Sequence, residues 1–285
     1  MRNMDLDSLQ IFKAVVDYGG ITRAASHLNR VQSNITTRVK NLENRLGVKL
    51  FERHTGKLVL SSEGRLLMEY ADKLLRLSSE AESALRRGKP TGLLRLGTME
   101  STAAMRLPTL LSQFHRNYPD VQIELVTATS GDLIAKVHRL EIDAAFVAEP
   151  FSNTGLEKQP TFNEELVLIS SRSVPPIKTP RDLKGRTIIA FAAGCSYRTI
   201  LEDWLSVESL VPERVMELGS YHAIVACVAA GSGIAIVPRA LLATMRVENE
   251  VNISMLPPRF THARTCLVWR KNYTSTLLET LCSQL

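Results

Sequence analysis

The sequence predicts an α/β protein that begins with an all-α winged helix-turn-helix and a long linker helix. Three observations support this fold class. Residues 20–64 have the pattern of two short helices followed by a basic hairpin and the start of a further helix. Residues 63–88 repeat apolar side chains at heptad spacing. From Leu93 onward, short apolar strands alternate with helices, and the length of 285 residues allows two or three modules.

The first two predicted helices are short and joined by a tight turn. Thr22 is expected to cap the first helix, in which Ala24 and Ala25 allow another helix to approach closely. Asn29 suits the turn because asparagine tolerates the left-handed backbone conformation. The second helix is predicted to end at Gly47 and to bury one apolar stripe. That stripe comprises Val31, Ile35, Val39, Leu42 and Leu46.

The opposite face of the second helix is short-chained and polar. At about 100° per residue, Ser33, Thr37 and Lys40 point away from the apolar stripe, and Gln32 and Thr36 lie at its flanks. Such a face fits the major groove of a DNA duplex, where it can hydrogen-bond base edges. The alternative that this pattern leaves open is a small helical hairpin with a solvated face.

A basic hairpin is predicted directly after the second helix. Arg53, His54 and Lys57 belong to it, Gly56 is expected at its tip, and residues 58–60 form the return strand.

The positive charge of the chain is concentrated in its first third. Residues 1–90 contain 16 Lys and Arg against 10 Asp and Glu, whereas residues 91–285 contain 19 of each. An excess of positive charge on one module is expected where a protein contacts the phosphates of nucleic acid.

Many positions between residues 24 and 64 together form a specific spacing: Ala24-Ala25, Leu28, Gln32-Ser33, Leu42-Glu43, Leu46-Gly47-Val48, Leu50-Phe51-Glu52-Arg53, Leu60-Ser61 and Gly64. In this spacing the chain resembles the LysR-type transcriptional regulators of bacteria, and its length and layout extend the resemblance over essentially the whole chain. The chain departs from the family at Ser33, where proline is frequent, and at Thr37, where arginine is frequent. The resemblance implies a winged helix-turn-helix, a long linker helix and two Rossmann-like lobes resembling periplasmic binding proteins.

The resemblance also implies double-stranded DNA as a partner. Base contacts are expected from the second helix, and phosphate contacts from the cations around it, with Arg53 in the family's phosphate-contacting position. The expected DNA-binding residues are Thr22, Gln32, Ser33, Thr36, Thr37, Arg38, Lys40, Arg53 and Lys57.

A long helix over residues 63–88 is predicted to dimerise. Its apolar positions follow the a/d heptad pattern of two helices wound around each other: Leu67, Tyr70, Leu74, Leu77, Ala81 and Ala84. The alternative is a helix packed on its own domain. Gly88, Pro90 and Gly92 then break the helix and predict a hinge. The expected oligomer is a homodimer, paired into a homotetramer as the resemblance implies.

The remainder is predicted to be an α/β fold with mainly parallel sheets. Strands are expected at 93–97, 121–126, 144–148, 166–170, 187–191, 234–237 and 267–269, and helices at about 103–116, 132–140, 197–207 and 221–230. The domain organisation we expect is a DNA-binding domain at 1–62, a linker and hinge at 63–90 and an effector-binding domain at 91–285. Its first lobe is expected at about 91–162 and 265–285, and its second at about 163–264. Ligands of such sheets bind at the carboxyl ends of strands, which places the site in the cleft between the lobes.

The expected effector-binding residues follow strands and begin helices, where free backbone amides and hydroxyls can hold an anion. They are Glu100, Ser101, Thr102, Thr129, Ser130, Cys195, Tyr197, Arg198 and Tyr221. Arg198 can in principle pair with a carboxylate, so the expected effector is a small anionic or zwitterionic metabolite. Ordinary helix capping by the hydroxyls and a structural ion pair at Arg198 are the alternatives.

The sequence supports other classes of function less strongly. Cys195 with His222 is a conceivable nucleophile and base, but neither has a specific local motif, so we expect no enzyme, cofactor or metal site. Four cysteines without metal spacing are expected to be free thiols, and a redox sensor using Cys195 and Cys227 remains an alternative. The neutral α/β part argues against a ligand-independent nucleoid protein. The expected absence of a signal peptide argues against a solute-binding receptor. A cytoplasmic location, no membrane partner and a contact with RNA polymerase are expected.

Overall fold

A computed structural model describes residues 4–54, 57–85 and 90–285, and the expectations on Gly56 and Gly88 lie outside these residues. The side chains of Arg53, Lys57 and Ala84 lie outside the described part as well. The chain forms two compact units, Met1–Arg87 and Gly88–Leu285, each with its own core.

The first unit is a winged helix-turn-helix followed by a long helix. Its elements are α1 (Leu6–Asp17), α2 (Ile21–His27), α3 (Gln32–Leu46), β1 (Phe51–His54), β2 (Lys57–Leu60) and α4 (Ser62–Leu85). Strands β1 and β2 pair antiparallel as the predicted wing. Asn29 has a φ of 51° in the turn between α2 and α3, and Gly47 ends α3 with a φ of 71°, which confirms the roles predicted for both.

Three details of the helix prediction are wrong. Gly20, not Thr22, is the residue before α2, so Thr22 lies inside the first turn of that helix. Val31 precedes α3 in an extended conformation and its side chain is 69% exposed, because a residue outside the helix no longer follows the helical face. Leu46, at the other end, is also exposed, so the buried stripe is limited to Ile35, Val39 and Leu42.

Helix α4 divides its apolar residues between two environments. Leu67 and Ala71 are buried with Leu9 and Phe12 of α1, as expected of a helix packed on its own domain. On the heptad stripe itself, Tyr70 and Leu77 are 55% and 62% exposed. Stripe residues after Leu67 therefore remain available to a partner helix.

The second unit has two lobes that share two long strands. Its elements are β3 (Gly92–Thr98), α5 (Glu100–Met105), α6 (Leu107–Asn117), β4 (Val121–Thr127), α7 (Ser130–His138), β5 (Ala144–Ala148), β6 (Leu156–Ser171), β7 (Thr187–Ala190), α8 (Ser196–Ser206), β8 (Arg214–Glu217), α9 (Tyr221–Ala229), β9 (Ala235–Pro238), α10 (Arg239–Met245), β10 (Val251–Met255), α11 (Pro258–Thr261), β11 (His262–Arg270) and α12 (Thr276–Cys282).

The prediction of mainly parallel sheets is wrong. Strand β3 pairs parallel with β4 and β5, and β7 pairs parallel with β8. Strand β6 is antiparallel to β9, β10 and β11, and β11 is antiparallel to β5. The chain crosses from lobe to lobe along β6 and returns along β11, and these two connections add the antiparallel pairs that a strand–helix alternation does not reveal.

The two crossing strands are longer than predicted. Strand β6 spans 16 residues rather than Leu166–Ser170 alone, because its first half pairs with β11 and its second half with β9 and β10. The register of β6 and β11 shifts between Thr265 and Cys266.

The helix predicted from Ala103 to Arg116 is two helices. It begins earlier, at Glu100, and breaks at Arg106 before α6 starts. Pro108 explains the break, since proline lacks an amide hydrogen and its ring collides with the carbonyl four residues earlier in a continuous helix. Helices α6 and α12 bury Phe114 and Leu281 against one face of the first lobe's sheet, while α7 buries Leu133 against the other.

Candidate DNA interface and effector cleft

Helix α3 presents an exposed polar face. The side chains of Gln32, Ser33, Thr36, Thr37, Arg38 and Lys40 are all exposed. The Thr36 hydroxyl donates to the Gln32 carbonyl at 2.9 Å, so toward a base edge it acts as an acceptor. Thr22 is exposed on α2.

Asp7 of α1 orders two cations beside this face. Arg30 donates to both Asp7 carboxylate oxygens, at 3.1 and 2.7 Å, and Arg38 lies 3.4 Å from the same carboxylate. Hydrogen bonds from Arg30 lower the pKa of Asp7, and the charges of both arginines act in the same direction. Arg38, expected to contact phosphate, therefore begins from an exposed ion pair that DNA phosphate can replace.

Glu43 links the recognition helix to the wing. Its Oε1 accepts from the amides of Leu50 at 2.9 Å and Phe51 at 3.4 Å, and its Oε2 accepts from Lys49 at 2.9 Å. Burial acts to raise the pKa of Glu43, but these hydrogen bonds outweigh it and the pKa is lowered. A carboxylate at the buried side of α3 thus fixes where β1 begins.

Ser61 and Gly64 fix the other end of the wing. The Ser61 hydroxyl donates to the Lys49 carbonyl at 2.6 Å and accepts from the Gly64 amide at 2.9 Å, which caps α4. A Cβ on Gly64 would collide with the Leu50 carbonyl oxygen. The helix and the wing therefore approach more closely than any residue with a side chain permits.

The second unit contains two adjoining cavities at the ends of β3, β4 and β7. The smaller has a volume of about 20 Å³, and its lining is Met99, Glu100, Ser101, Ala128, Thr129, Ser130, Phe191, Cys195, Tyr197 and Tyr221. The larger has a volume of about 340 Å³, and its lining is Glu100, Thr127, Ala128, Thr129, Asp132, Phe191, Ala192, Glu217, Leu218 and Gly219. Residues from both lobes contribute to each.

Direct hydrogen bonds join the two lobes beside these cavities. The Gly131 amide donates to the Gly194 carbonyl at 3.1 Å, and the Ser196 hydroxyl donates to the Ala148 carbonyl at 2.7 Å. Gly194 has a φ of 92°, a conformation that favours glycine and brings its carbonyl to the start of α7. The Ser130 hydroxyl, also buried, accepts from the Ala148 amide at 3.2 Å. The lobes are closed on one another at this point.

The residues expected to bind an effector divide into two groups. Seven of them line the smaller cavity: Glu100, Ser101, Thr129, Ser130, Cys195, Tyr197 and Tyr221. Thr102 is buried but lines neither cavity.

Arg198 also lies outside both linings, and its guanidinium donates to Glu202 at 2.8 Å, to Glu217 at 2.6 Å and to the Phe191 carbonyl at 3.2 Å. Arg198 therefore forms the structural ion pair named above as the alternative to binding a ligand carboxylate.

Protein carboxylates already occupy the helix starts at which an anion was expected. Glu100 Oε1 accepts from the Tyr221 amide at 3.4 Å, at the start of α9. Asp132 lies in the first turn of α7, where its Oδ2 accepts from the Thr129 hydroxyl at 2.8 Å. Burial raises the pKa of Glu100, against the Tyr221 amide and the nearby His222, which act to lower it.

Several buried polar groups at the cavity have no hydrogen-bond partner of standard geometry among the described residues. They are Glu100 Oε2, the Ser101 hydroxyl and the Tyr197 hydroxyl. Burial raises the pKa of Tyr197 and of Tyr221, and it raises that of Cys195 in the same way. Both phenols are therefore neutral and able to donate, whereas Cys195 is a thiol rather than a reactive thiolate at neutral pH.

Four residues that contribute to the DNA-binding unit or to the cleft were not assigned a role from the sequence. Asp7 and Glu43 act on the DNA-binding unit, while Phe191 and Asp132 line the cleft. Phe191 ends a predicted strand and Asp132 follows a threonine that begins a helix, so the position of each after a strand was a usable signal. Nothing local indicates that Asp7 meets Arg30, because 23 residues separate them.

Metal and membrane features are not found in the described residues. No group of three or more His, Cys, Asp or Glu side chains there could hold a metal ion. No helix within the described ranges combines the length and apolar character needed to cross a bilayer. All four cysteines are free thiols, Cys266 being buried and the others partly so.

Comparison with known proteins identifies both units. Residues 6–65 match the family described as bacterial regulatory helix-turn-helix protein, lysR family, and residues 87–285 match the LysR substrate binding domain. The HTH-type transcriptional regulator GltR of Bacillus subtilis (strain 168) is 36% identical over 270 residues, which cover 94% of this chain and 91% of GltR. The uncharacterized regulator YusT of the same strain is 37% identical over 97% of this chain and 94% of its own length.

Solved structures share the fold. A variant of full-length OxyR from Pseudomonas aeruginosa has a TM-score of 0.72 at 20% identity, covering 100% of this chain and 95% of that one. Full-length CbnR complexed with its target DNA has a TM-score of 0.71 at 23% identity, covering 99% of this chain and 98% of that one. On the family matches and the relatives above 30% identity, the chain is a LysR-type transcriptional regulator, a member of the lysR family of bacterial helix-turn-helix proteins.

Proposed function

We propose that this regulator binds a specific operator through α3 and the wing, and that a small molecule bound between the lobes of the second unit controls it. The observation that carries the DNA part is the exposed polar face of α3, held in register with the wing by Glu43. CbnR, which has the same fold, has been crystallised with its target DNA, and that complex supports the same mode here.

The bases are read by the start of α3. Gln32, Ser33, Thr36 and Thr37 supply short polar groups of the kind that hydrogen-bond base edges in the major groove. Arg38 and Lys40 on α3, together with Arg53 and Lys57 on the wing strands, hold phosphates and set the position of the helix without choosing a sequence. Thr22 lies on α2, the helix that crosses the backbone in this motif.

The domain assignment is part of the proposal. Residues 1–62 bind DNA, residues 63–90 link and dimerise, and residues 91–285 bind the effector between a lobe at about 91–162 with 265–285 and a lobe at about 163–264. The exposed apolar face of α4 pairs with that of a second copy, and two dimers form a homotetramer in the cytoplasm. Two copies of α3 then read two half-sites of one operator.

Effector binding is coupled to DNA through the closure of the lobes. A ligand that prefers one arrangement of the Gly131–Gly194 contact shifts the population of that arrangement, which changes the spacing of the DNA-binding units and the contact with RNA polymerase. We propose no enzymatic activity. A redox mechanism is disfavoured because burial keeps Cys195 protonated.

Genome-wide footprinting of the bound DNA tests this function. We expect a small number of strong sites that contain two similar half-sites, and genes beside them suggest the effector. Binding spread evenly over the genome, with a dependence on salt but not on sequence, would indicate a nucleoid protein instead.

A further inference from the structure

Among the described residues, the larger cavity is lined by acidic side chains and by no basic one. Glu100, Asp132 and Glu217 contribute to its wall, and neither cavity has a lysine, arginine or histidine among the described residues that line it. The charge of Glu217 is compensated by Arg198 at 2.6 Å, whereas the Asp132 carboxylate accepts from the neutral Thr129 hydroxyl. An anionic ligand would therefore meet the carboxylates of Glu100 and Asp132 with no cation in the described wall to offset them.

Glu100 is the carboxylate at which a ligand cation fits best. It lines both cavities, and its Oε1 accepts from the Tyr221 amide at 3.4 Å. Its Oε2 is buried without a hydrogen-bond partner in the described part of the chain. A buried carboxylate oxygen with no donor is costly, and a donor carried by a ligand removes that cost.

Two buried hydroxyls lie at the same cavity. The side chains of Ser101 and Tyr197 are 0% and 2% exposed and line the smaller cavity. Their hydroxyls interact with each other, but neither makes a hydrogen bond of standard geometry within the described ranges. The rings of Phe191 and Tyr221 lie 4.8 Å apart beside them. An aromatic wall next to a carboxylate is a favourable place for an organic cation.

We propose that the effector is a small molecule with a protonated nitrogen, an ammonium or amidinium group, which pairs with Glu100 and packs against Phe191. The inference rests on the proposed function, since it names the chemical class of the ligand of the cleft. The volume of about 340 Å³ suits a molecule of metabolite size. The hydroxyls of Ser101 and Tyr197 then serve its polar groups, or a water that bridges to them.

The test compares sets of probes whose members share one hydrocarbon group and carry an amine, a carboxylate or both. One set is phenethylamine, phenylalanine and 3-phenylpropionate, and further sets use alkyl chains in place of the phenyl group. Stabilisation of the full-length protein is measured by thermal unfolding, because a ligand that binds only the folded state raises the melting temperature. We expect stabilisation only by members with a protonated nitrogen, and at least about tenfold weaker binding of these to Glu100→Gln, as loss of one charge-assisted hydrogen bond implies.

The control variant is Glu157→Gln, which removes an exposed carboxylate. Glu157 lies opposite Trp269 in the sheet, and Trp269 lies opposite Ala144 at the start of β5, so Glu157 is near the other end of the first lobe's sheet. We expect it to bind the probes as the wild type does. Glu100→Gln is expected to melt no lower than the wild type, because the amide has no charge to desolvate and still accepts from Tyr221.

Stabilisation by the carboxylates alone, or amine binding that Glu100→Gln leaves unchanged, would overturn the inference and leave the proposed function standing. Absence of stabilisation by every probe class overturns it as well. The proposed DNA-binding function fails separately, if no genomic fragment is preferred with or without a bound probe.

Discussion

Arg106 and Glu164 form a bidentate ion pair that joins the start of α6 to the crossing strand β6. Arg106 Nε donates to Glu164 Oε1 at 2.8 Å and Nη2 donates to Oε2 at 2.9 Å, and the Glu164 side chain is only 2% exposed. Arg106 is also the residue at which α5 ends, and α5 carries Glu100 and Ser101 into the cleft. The pair therefore ties one wall of the candidate effector site to the strand that connects the lobes.

Removal of this pair is predicted to destabilise the second unit. Arg106→Ala leaves the Glu164 carboxylate buried without its cation, which costs about 3–5 kcal/mol of unfolding free energy. Denaturant unfolding can be followed by Trp204 and Trp269, the two tryptophans of the chain, which both lie in this unit. Arg95→Ala is the control, since its pair with Glu124 at 2.9 Å is exposed and contributes at most about 1 kcal/mol. Equal losses in both variants would contradict the role given to Glu164.

Glu43 is predicted to make the link between α3 and the wing dependent on pH. Its pKa is below the ordinary 4.5 in the folded protein, so its contribution to stability is complete above 4.5 and is lost as pH falls through the lowered value. Glu43→Ala leaves the Leu50 amide without its acceptor, at a cost of about 1–3 kcal/mol at neutral pH.

The measurement for Glu43 is hydrogen exchange at the Leu50 amide, corrected for the intrinsic rate. We expect faster exchange in Glu43→Ala at neutral pH and a smaller difference from the wild type in acid. Glu43→Gln keeps an acceptor and should lose the pH dependence while retaining part of the protection. Protection that is the same in all three proteins would exclude the role of Glu43.

Gln32, at the start of α3, and Lys40, later in the same helix, are predicted to affect DNA binding differently. Gln32→Ala should relax the preference at one base-pair position, with a loss of about 1–3 kcal/mol for the preferred base. Lys40→Ala should weaken binding to all sequences and reduce the slope of log affinity against log salt by about one. Binding titrations over several salt concentrations, with single-base operator variants, distinguish the two. A uniform loss in Gln32→Ala would move Gln32 to the phosphate-contacting group.

The exposed residues of the α4 heptad stripe are predicted to hold the dimer together. Tyr70→Glu and Leu77→Glu each place a charge at a heptad position that is 55% and 62% exposed in the single chain. Sedimentation velocity should show a shift toward monomer for both, and an unchanged mass for Glu69→Lys, which alters the exposed outer face of the same helix. An unchanged oligomer in all three variants would place the dimer contact elsewhere.

Local sequence patterns predicted the elements that a turn-favouring residue type or a run of apolar side chains identifies. Asn29 and Gly47 could be assigned because left-handed backbone favours these residue types, and the strand over residues 144–148 because its side chains are uniformly apolar. Pattern did not predict β8 or β10, since β8 is exposed along its length and β10 mixes polar and apolar residues. It also missed the antiparallel path of β6 and β11, because pairing between residues as distant as Phe162 and Thr265 leaves no local trace.

The candidate sites show the same division. Helix starts after strands located seven residues that line the smaller cavity, because strand ends gather at one edge of a sheet. The charge of the cleft was not predictable in this way. Arg198 was expected to face a ligand, but its guanidinium forms ion pairs with Glu202 of its own helix and with Glu217 of β8.

Competition binding of the full-length protein measures whether it prefers one DNA sequence. The strongest fragment from genome-wide footprinting is bound at moderate salt in the presence of excess random duplex of the same length. We expect this fragment to be retained, with a preference on the order of a thousandfold or more over random DNA. Equal competition by random duplex, in the presence and absence of cell extract, would contradict sequence-specific regulation by this protein.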